Sequence, residues 1–356
     1  MKVVHVGEYV SGGIATYLRT LIETQVLDSR IDEIVLFKSA FNSESMAFAS
    51  PKVTVHEYEY RRSLSGIRKL LSLWREIVKL HPDVIHLHSS FAGFLRLKCM
   101  RRTPSTKGIR IIYCAHGWAF TRKTSKLKKT IAAFVERALA RGCDKIINIS
   151  ADEAEAAVRW RLPVSKMKTI NNAIIIPEAL PQKSAIKGNL RLLFVGRFDR
   201  QKGVDVLLKA AEQLPEVDFF LAGRTVVGGF EISKAKLPAN VTLLGWLDTL
   251  QVNQHMLDSD AVIVPSRWEG FGLVALEAMK NCVPVLAANV GGLKNIVHDG
   301  VNGFLFESDS SDAIVTLVRS LNRSQLEELG NKAQGFVKNN FDAFDMEEKV
   351  VQLYQS

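Results

Sequence analysis

Short apolar runs alternate with stretches of helical periodicity from one end of the chain to the other. Runs at residues 3–7, 34–37, 53–57, 84–87, 110–115, 145–149 and 167–170 read as strands. A second series follows at 192–195, 219–222, 241–243, 261–264, 284–287 and 304–306. Between them apolar positions recur every three or four residues, as in Ile67, Leu70, Leu71, Trp74, Ile77 and Val78, the pattern of a helix with one buried side. Strands that alternate with helices build parallel sheets through right-handed crossovers and take ligands at the strands' carboxyl ends. The fold class expected is α/β. A polar stretch with two prolines and a Lys-Gly-Asn turn marks 177–189 as a linker. The domains expected are 1–178 and 189–340, with a last helix at 345–354 after a break near Asn339-Asn340.

Two strand ends in the second half carry chemistry. The run 192–195 leads into Gly196-Arg197-Phe198-Asp199-Arg200-Gln201-Lys202-Gly203 and a helix from Val204. Arg197 and Lys202 flank a helix start whose first amides have no internal partner, and two cations beside such amides suit a diphosphate. A solvated loop charge is the competing account of each cation alone, and the preferred one for Arg200. The run 261–264 leads into Glu269-Gly270-Phe271-Gly272-Leu273-Val274-Ala275-Leu276-Glu277, a glycine-rich turn opening a helix over 273–280. Its two carboxylates suit different parts of one large ligand rich in phosphate and hydroxyls. The competing account is that acidic residues merely stabilise the helix dipole.

The first half offers weaker signals. Ser11-Gly12-Gly13 follows the first strand, and glycine there lets backbone approach a phosphate or an acceptor closely. His116 ends the run 110–115, where ligands bind, though a satisfied core histidine fits as well. His86 and His88 alternate on one strand and point the same way, but no carboxylate or cysteine cluster accompanies them, so no metal is expected. The remaining histidines, His5 among them, read as ordinary.

A chain of 356 residues suits two domains, and 47% hydrophobic with 24% charged residues is ordinary globular composition. Cys99, Cys114, Cys143 and Cys282 lack metal-ligand spacing and read as reduced thiols. With no signal peptide and no long apolar run, a cytoplasmic location is expected. Charge changes the picture more. Residues 1–180 carry 29 Lys and Arg against 16 Asp and Glu, a net +13, and 60–145 alone carry 20 against 4, a net +16. That block includes Arg61-Arg62, Arg68-Lys69, Arg101-Arg102, Arg122-Lys123, Lys126, Lys128 and Lys129. Leu127, Ile131, Phe134, Val135, Ala138 and Leu139 give the last helix an apolar stripe, expected to pack on its sheet. The clustered cations suit anionic lipid headgroups or nucleic acid, and no nucleic-acid motif supports the latter.

The motif 196–203, followed about 70 residues later by Pro265-Ser266-Arg267-Trp268-Glu269-Gly270-Phe271-Gly272-Leu273-Val274-Ala275-Leu276-Glu277-Ala278, resembles the retaining glycosyltransferases of family 4, of the bacterial surface-polysaccharide type. The resemblance spans nearly the whole chain and takes in Gly291-Gly292 and Asn302-Gly303-Phe304. It implies a GT-B fold of two facing Rossmann-like domains, with 341–356 crossing back to the first. It implies an acceptor-binding first domain and a nucleotide-sugar-binding second. Arg197 and Lys202 would steady the departing diphosphate, Glu269 the sugar hydroxyls and Glu277 the ribose, with His116 near the transferred sugar. Gly12, Gly13, Gly270, Phe271, Gly272 and Leu273 complete the implied donor site. The donor is a substrate, a UDP-sugar favoured over a GDP-sugar, with no cofactor. The implied acceptor is a saccharide, lipid-diphosphate-linked, at the anionic cytoplasmic face of the inner membrane.

Two departures stand out. Leu293-Lys294-Asn295 replaces the family's Pro-Glu after the glycine pair, and Asn171-Asn172-Ala173-Ile174 replaces Asn-Gly-Val-Asp, with Asn expected to take the left-handed turn. Two other functions share the fold. One is a soluble enzyme with another acceptor, such as a sugar phosphorylase, against which the basic first domain argues. The other is a catalytically silent membrane-surface protein, against which Arg197, Lys202, Glu269 and Glu277 argue.

Overall fold

The computed structural model describes residues 1–61, 64–100, 106–122, 124–177, 186–225 and 237–356. The chain divides into two units, Met1–Ala173 with Ala343–Ser356, and Ile174–Asp342. Part of the expected linker, 178–185, lies outside the described residues, as do Arg62, Arg101, Arg102 and Lys123.

The first unit alternates strand and helix: β1 Lys2–Gly7, α1 Gly13–Leu27, β2 Glu33–Ser39, β3 Val53–Tyr58, α2 Leu64–Lys79, β4 Val84–His88, the short turn α3 Arg96–Cys99, β5 Arg110–Cys114, α4 Lys126–Leu139, β6 Lys145–Asn148, α5 Ala151–Arg159 and β7 Met167–Thr169. Its seven parallel strands lie in the order β3-β2-β1-β4-β5-β6-β7. Both faces of a parallel sheet are covered, so its inner strands are buried nearly throughout, whereas the edge strands β3 and β7 are largely half-buried or exposed. Val4, Val6, Ile85, Leu87, Ile111 and Tyr113 share one face with Leu70, Leu73 and Ile77 of α2. His5, His86 and His88 alternate with them onto the other face, where α1 and the chain's last helix supply Gln25 and Tyr354.

The second unit runs β8 Leu190–Val195, α6 Val204–Glu212, β9 Val217–Ala222, β10 Val241–Gly245, α7 Thr249–Leu257, β11 Ala261–Val264, α8 Leu273–Lys280, β12 Val285–Ala288, the short α9 Leu293–Ile296, β13 Gly303–Phe306, α10 Ser311–Arg319 and α11 Arg323–Asn340. Helix α12, Ala343–Gln355, belongs to the first unit. The second sheet has the order β10-β9-β8-β11-β12-β13. Strand order therefore reverses between β1 and β4 in one unit and between β8 and β11 in the other, and crevices for ligands open at such points.

The units divide a few residues ahead of the expected linker. Ile174 forms a parallel bridge with Asp342, and its amide donates to the Phe341 carbonyl at 3.1 Å, tying it to the second unit. The left-handed turn expected at Asn171-Asn172 is absent, since neither residue has a positive φ. Instead the Ile170 and Asn172 amides donate to the Asn148 and Ile149 carbonyls and continue the sheet edge. All four cysteines are buried, and none forms a disulfide. Among the described residues no helix is long and apolar enough to cross a membrane.

Candidate functional site

In the second unit both motifs fall at the switch point, in the loops after β8 and β11. Lys202 reaches across to Glu269, its Nζ 2.5 Å from Oε2, and the Ser266 hydroxyl donates to the same oxygen at 3.3 Å. Arg197 lies more openly, with an amine on Gln201 Oε1 at 3.0 Å and Asp199 at 3.2 Å. Lys202 retains two N–H donors beyond Glu269, so it can hold the carboxylate and an incoming anion together. Arg200 is exposed, as its loop-charge reading requires.

The turn 269–273 is set by backbone constraints. Gly272 caps α8 in the left-handed region at φ 103°. Gly291 lies so close that a Cβ there would stand 1.9 Å from the Glu269 carbonyl oxygen, and its φ is +50°. Phe271 and Leu273 are buried, with Phe271 edge-on to Phe341, so they offer a ligand only backbone. Glu277 is half-buried on the second turn of α8.

Sequence reasoning gave Arg267 no role, although it lies inside the motif. Its guanidinium forks onto Asp205 at 2.8 and 2.6 Å, reaches Asp309 at 2.6 Å and donates to the Arg200 carbonyl at 2.9 Å. It thereby braces the loops that carry Lys202 and Glu269.

In the first unit, Gly12 caps α1 at φ 57° and ψ −133°, a region only glycine enters readily, and Gly13 opens the helix. A Cβ at Gly12 would meet nothing of the chain within 4 Å, so the space beside it is open. His116 ends β5 in the left-handed region (φ 52°) and is half-buried, its ring edge-on to Tyr17 at 4.6 Å. Behind it runs a hydrogen-bonded chain that the sequence did not show. Gln25 presents its amide oxygen to His5 Nε2 at 2.9 Å, and its amide nitrogen donates to the Tyr354 hydroxyl at 3.2 Å. An amide oxygen only accepts, so His5 carries its proton on Nε2 and its Nδ1 accepts from His88 Nε2 at 3.0 Å. His88 Nδ1 in turn accepts from His116 Nε2 at 3.0 Å, which leaves His116 Nδ1 a bare acceptor. Burial holds these rings neutral, pushing His116 down to about 3, His5 to about 4 and His88 well below its usual value.

His5 is thus the satisfied core histidine that its ordinary reading expects, with both ring nitrogens bonded. It is the register partner of His86 across the sheet, a relation invisible from 81 positions away. Glu8 and Ser89, buried at the ends of β1 and β4, also went unnoticed; the Ser89 hydroxyl donates to Glu8 at 3.4 Å.

Burial raises Glu153, on the helix after β6, to about 7, offset in part by the amides of Ile149 and Gly117. The folded protein holds this proton more tightly than the unfolded chain. Its stabilisation is therefore complete below about pH 4.5 and is lost as pH rises through about 7, roughly 3 kcal/mol in all. Glu347, raised to about 7 by burial and Asp28, acts in the same window, whereas the neutral buried histidines act oppositely below about pH 6.5. The clean readout is the difference in unfolding free energy between Glu153→Gln and the parent. It should rise in the variant's favour from pH 5 to pH 8, and a constant difference would show that the carboxyl is already ionised at pH 5.

The first half of the apolar stripe on α4 does not pack on the sheet, although Leu139 at its end is buried. Leu127, Ile131 and Phe134 are 70%, 54% and 64% exposed, while Ala133, Glu136 and Leu139 face inward. The rotation is set by a buried ion pair. Arg96 of α3 reaches Glu136 at 2.6 Å with its guanidinium 3.6 Å over the Tyr113 ring, and the Tyr113 hydroxyl donates to Glu136 at 3.0 Å. Turning Leu127, Ile131 and Phe134 inward would separate that pair, stranding a buried charge at a cost of roughly 3–5 kcal/mol, and would also carry Ala133 and Leu139 out to solvent.

The two Rossmann-like units and their switch-point loops define a GT-B glycosyltransferase. Residues 11–176 match the family model described as Glycosyltransferase Family 4, and 177–341 the model described as Glycosyl transferases group 1. The chain is 32% identical to an uncharacterized 41.2 kDa protein in the cps region of Klebsiella pneumoniae over 371 aligned positions, covering 100% of each. It is 25% identical, over 82% of this chain and 80% of the relative, to the UDP-Gal:alpha-D-GlcNAc-diphosphoundecaprenol alpha-1,3-galactosyltransferase of Escherichia coli. The crystal structure of Anabaena Alr3699/HepE in complex with UDP and glucose shares the fold, with a TM-score of 0.80 at 20% identity over 100% of both chains. The protein belongs to the family 4 glycosyltransferases.

Proposed function

We propose that the protein transfers a hexosyl group, with retention, from a UDP-sugar to a saccharide carried on a lipid diphosphate, while held against an anionic membrane surface. The observation that carries the donor side is the Lys202–Glu269 pair at the β8/β11 switch point, beside the helix start at Leu273. As the bond from the anomeric carbon to the diphosphate breaks, negative charge grows on the leaving phosphate. Arg197, Lys202 and the first amides of α8 stabilise that charge more in the transition state than before it, which lowers the barrier. Glu269 holds sugar hydroxyls, Glu277 the ribose, and the bare Nδ1 of His116 accepts from a sugar hydroxyl. Glu269 is engaged by Lys202 and Ser266, which suits a binding carboxylate better than a nucleophile. Retention then follows from entry of the acceptor hydroxyl on the face the diphosphate leaves. No metal is needed, because the cations meet the charge.

The acceptor side is supported by the Escherichia coli relative, named for an acceptor on diphosphoundecaprenol. It is supported further by the outward apolar row of α4 beside Lys126 and Lys128 and by exposed Leu97 on α3 and Met100 just after it. Helices with apolar and cationic surface together lie in lipid interfaces.

A screen of nucleotide sugars for hydrolysis and transfer tests the reading, combined with two variants. Glu269→Gln should depress kcat on the order of 10²-fold or more while nucleotide affinity changes little. Glu277→Gln should weaken nucleotide binding itself by about 1–2 kcal/mol, the worth of a hydrogen bond to a charged group. Parental binding and turnover in both variants would reduce the motif to a helix-start feature.

A further inference from the structure

Three histidines meet on the inner face of the first unit's sheet. His5 and His86 are register partners on β1 and β4, His88 lies two residues along β4, and all three are fully buried. Ring nitrogens from the three come within 4.8 Å of one another. Each ring is held from outside by one nitrogen: His5 Nε2 by Gln25, His88 Nδ1 by His116, and His86 Nδ1 by the Tyr354 hydroxyl at 2.8 Å. The nitrogens left over are His5 Nδ1 and His88 Nε2, 3.0 Å apart, and His86 Nε2, buried with no hydrogen-bond partner among the described residues. Metal-ligating histidines have this arrangement, one nitrogen fixed by an outer hydrogen bond and the other turned to the ion.

We propose that His5, His86 and His88 bind a borderline transition-metal cation of the Zn²⁺ class through these inner nitrogens. Three imidazoles without a carboxylate select such an ion over Mg²⁺ or Ca²⁺, which take oxygen ligands. Burial keeps the rings neutral, the form a ligand requires. Nitrogens at about 2.0–2.1 Å from a tetrahedral ion stand roughly 3.4 Å apart, so His5 Nδ1 and His88 Nε2, now 3.0 Å apart, would open by about 0.4 Å to admit it. No proton need leave. As the ion takes the lone pairs of His5 Nδ1 and His88 Nε2, the His88 proton moves to Nδ1 and the His116 proton moves from Nε2 to Nδ1. His116 Nδ1 is thereby converted from acceptor to donor, so the ion would switch the histidine at the end of β5. The site does not depend on the transferase reading and stands or falls by metal binding alone.

The test uses untagged full-length protein, stripped with chelator, equilibrated with Zn²⁺, desalted and assayed by elemental mass spectrometry. One zinc per chain is expected, with a rise in Tm that chelator reverses. His86→Phe leaves the chain from Gln25 to His116 in place and should reduce bound zinc to background. Gln25→Leu, which removes the outer hydrogen bonds to His5 and to the Tyr354 hydroxyl, should weaken zinc about 10–100-fold. Circular dichroism checks each variant, and His86→Asn replaces His86→Phe if the latter does not fold. A parent protein that retains no zinc overturns the proposal, as does retention unchanged in the His86 variant. The three rings are then a hydrogen-bonded chain and nothing more.

Discussion

Replacing Arg197 and Lys202 together by alanine is expected to abolish the thermal stabilisation given by nucleoside diphosphates and to lower kcat/KM by at least about 10³-fold, on the scale of losing one or more charge-stabilising donors. The two residues are not equal contributors. Lys202 is mostly buried and already oriented by Glu269, whereas Arg197 is about half exposed and held by Asp199 and Gln201. An oriented, partly desolvated cation acts more strongly on a growing charge than a solvated one. The single Lys202→Ala change should therefore account for most of the loss, and it also strips Glu269 of its counter-ion. The fold should survive, because Arg267 continues to tie these loops to Asp205 and Asp309. Calorimetry with UDP reads the binding loss, and single-turnover transfer reads the chemical one. Undiminished stabilisation of the double variant by nucleoside diphosphates would place the anion elsewhere.

What the chain revealed in advance was local. Each motif of the second unit lies within about a dozen consecutive residues, and a buried strand, a glycine turn and a helix start are written in neighbouring positions. Periodicity likewise marked the strands, since a parallel sheet buried on both faces leaves nearly continuous apolar runs. What stayed hidden was settled between distant segments. The face that α4 turns outward depends on Arg96, forty positions before Glu136, and the stripe Leu127, Ile131 and Phe134 looks the same whether it faces a sheet or solvent. The network around His5 is hidden in the sequence because its partners His88 and Gln25 arrive from β4 and α1. Asn171-Asn172 was read by residue type, and the pull of the sheet edge at Asn148 and Ile149 prevailed over the turn preference.

The outward stripe changes what the basic first unit should do at a membrane. Charge alone predicts attachment that fades with salt, because the Debye length shrinks from about 10 Å at 0.1 M to about 3 Å at 1 M. Three exposed apolar side chains, Leu127 among the lysines and Ile131 and Phe134 on the turns after them, predict a second component that salt leaves intact. Burying much of Leu127, Ile131 and Phe134 in acyl chains contributes on the order of 1–2 kcal/mol each, and each nearby cation adds about 1 kcal/mol on anionic lipid. The components are comparable, so neither variant class alone should abolish binding. With vesicles of anionic lipid at low salt, neutralising Lys126, Lys128 and Lys129 should weaken partition by up to about 100-fold and flatten its salt dependence. Leu127→Ser with Ile131→Ser and Phe134→Ser should weaken it by a similar factor while the salt dependence persists. These side chains face away from the Arg96–Glu136 pair, so the serine variant should keep the parent Tm. Transfer to a lipid-diphosphate acceptor in vesicles should fall in parallel with partition, whereas hydrolysis of a soluble donor should be spared. Equal partition of the parent onto neutral and anionic vesicles, or none at low salt, would assign the charge to another anion and favour a soluble acceptor.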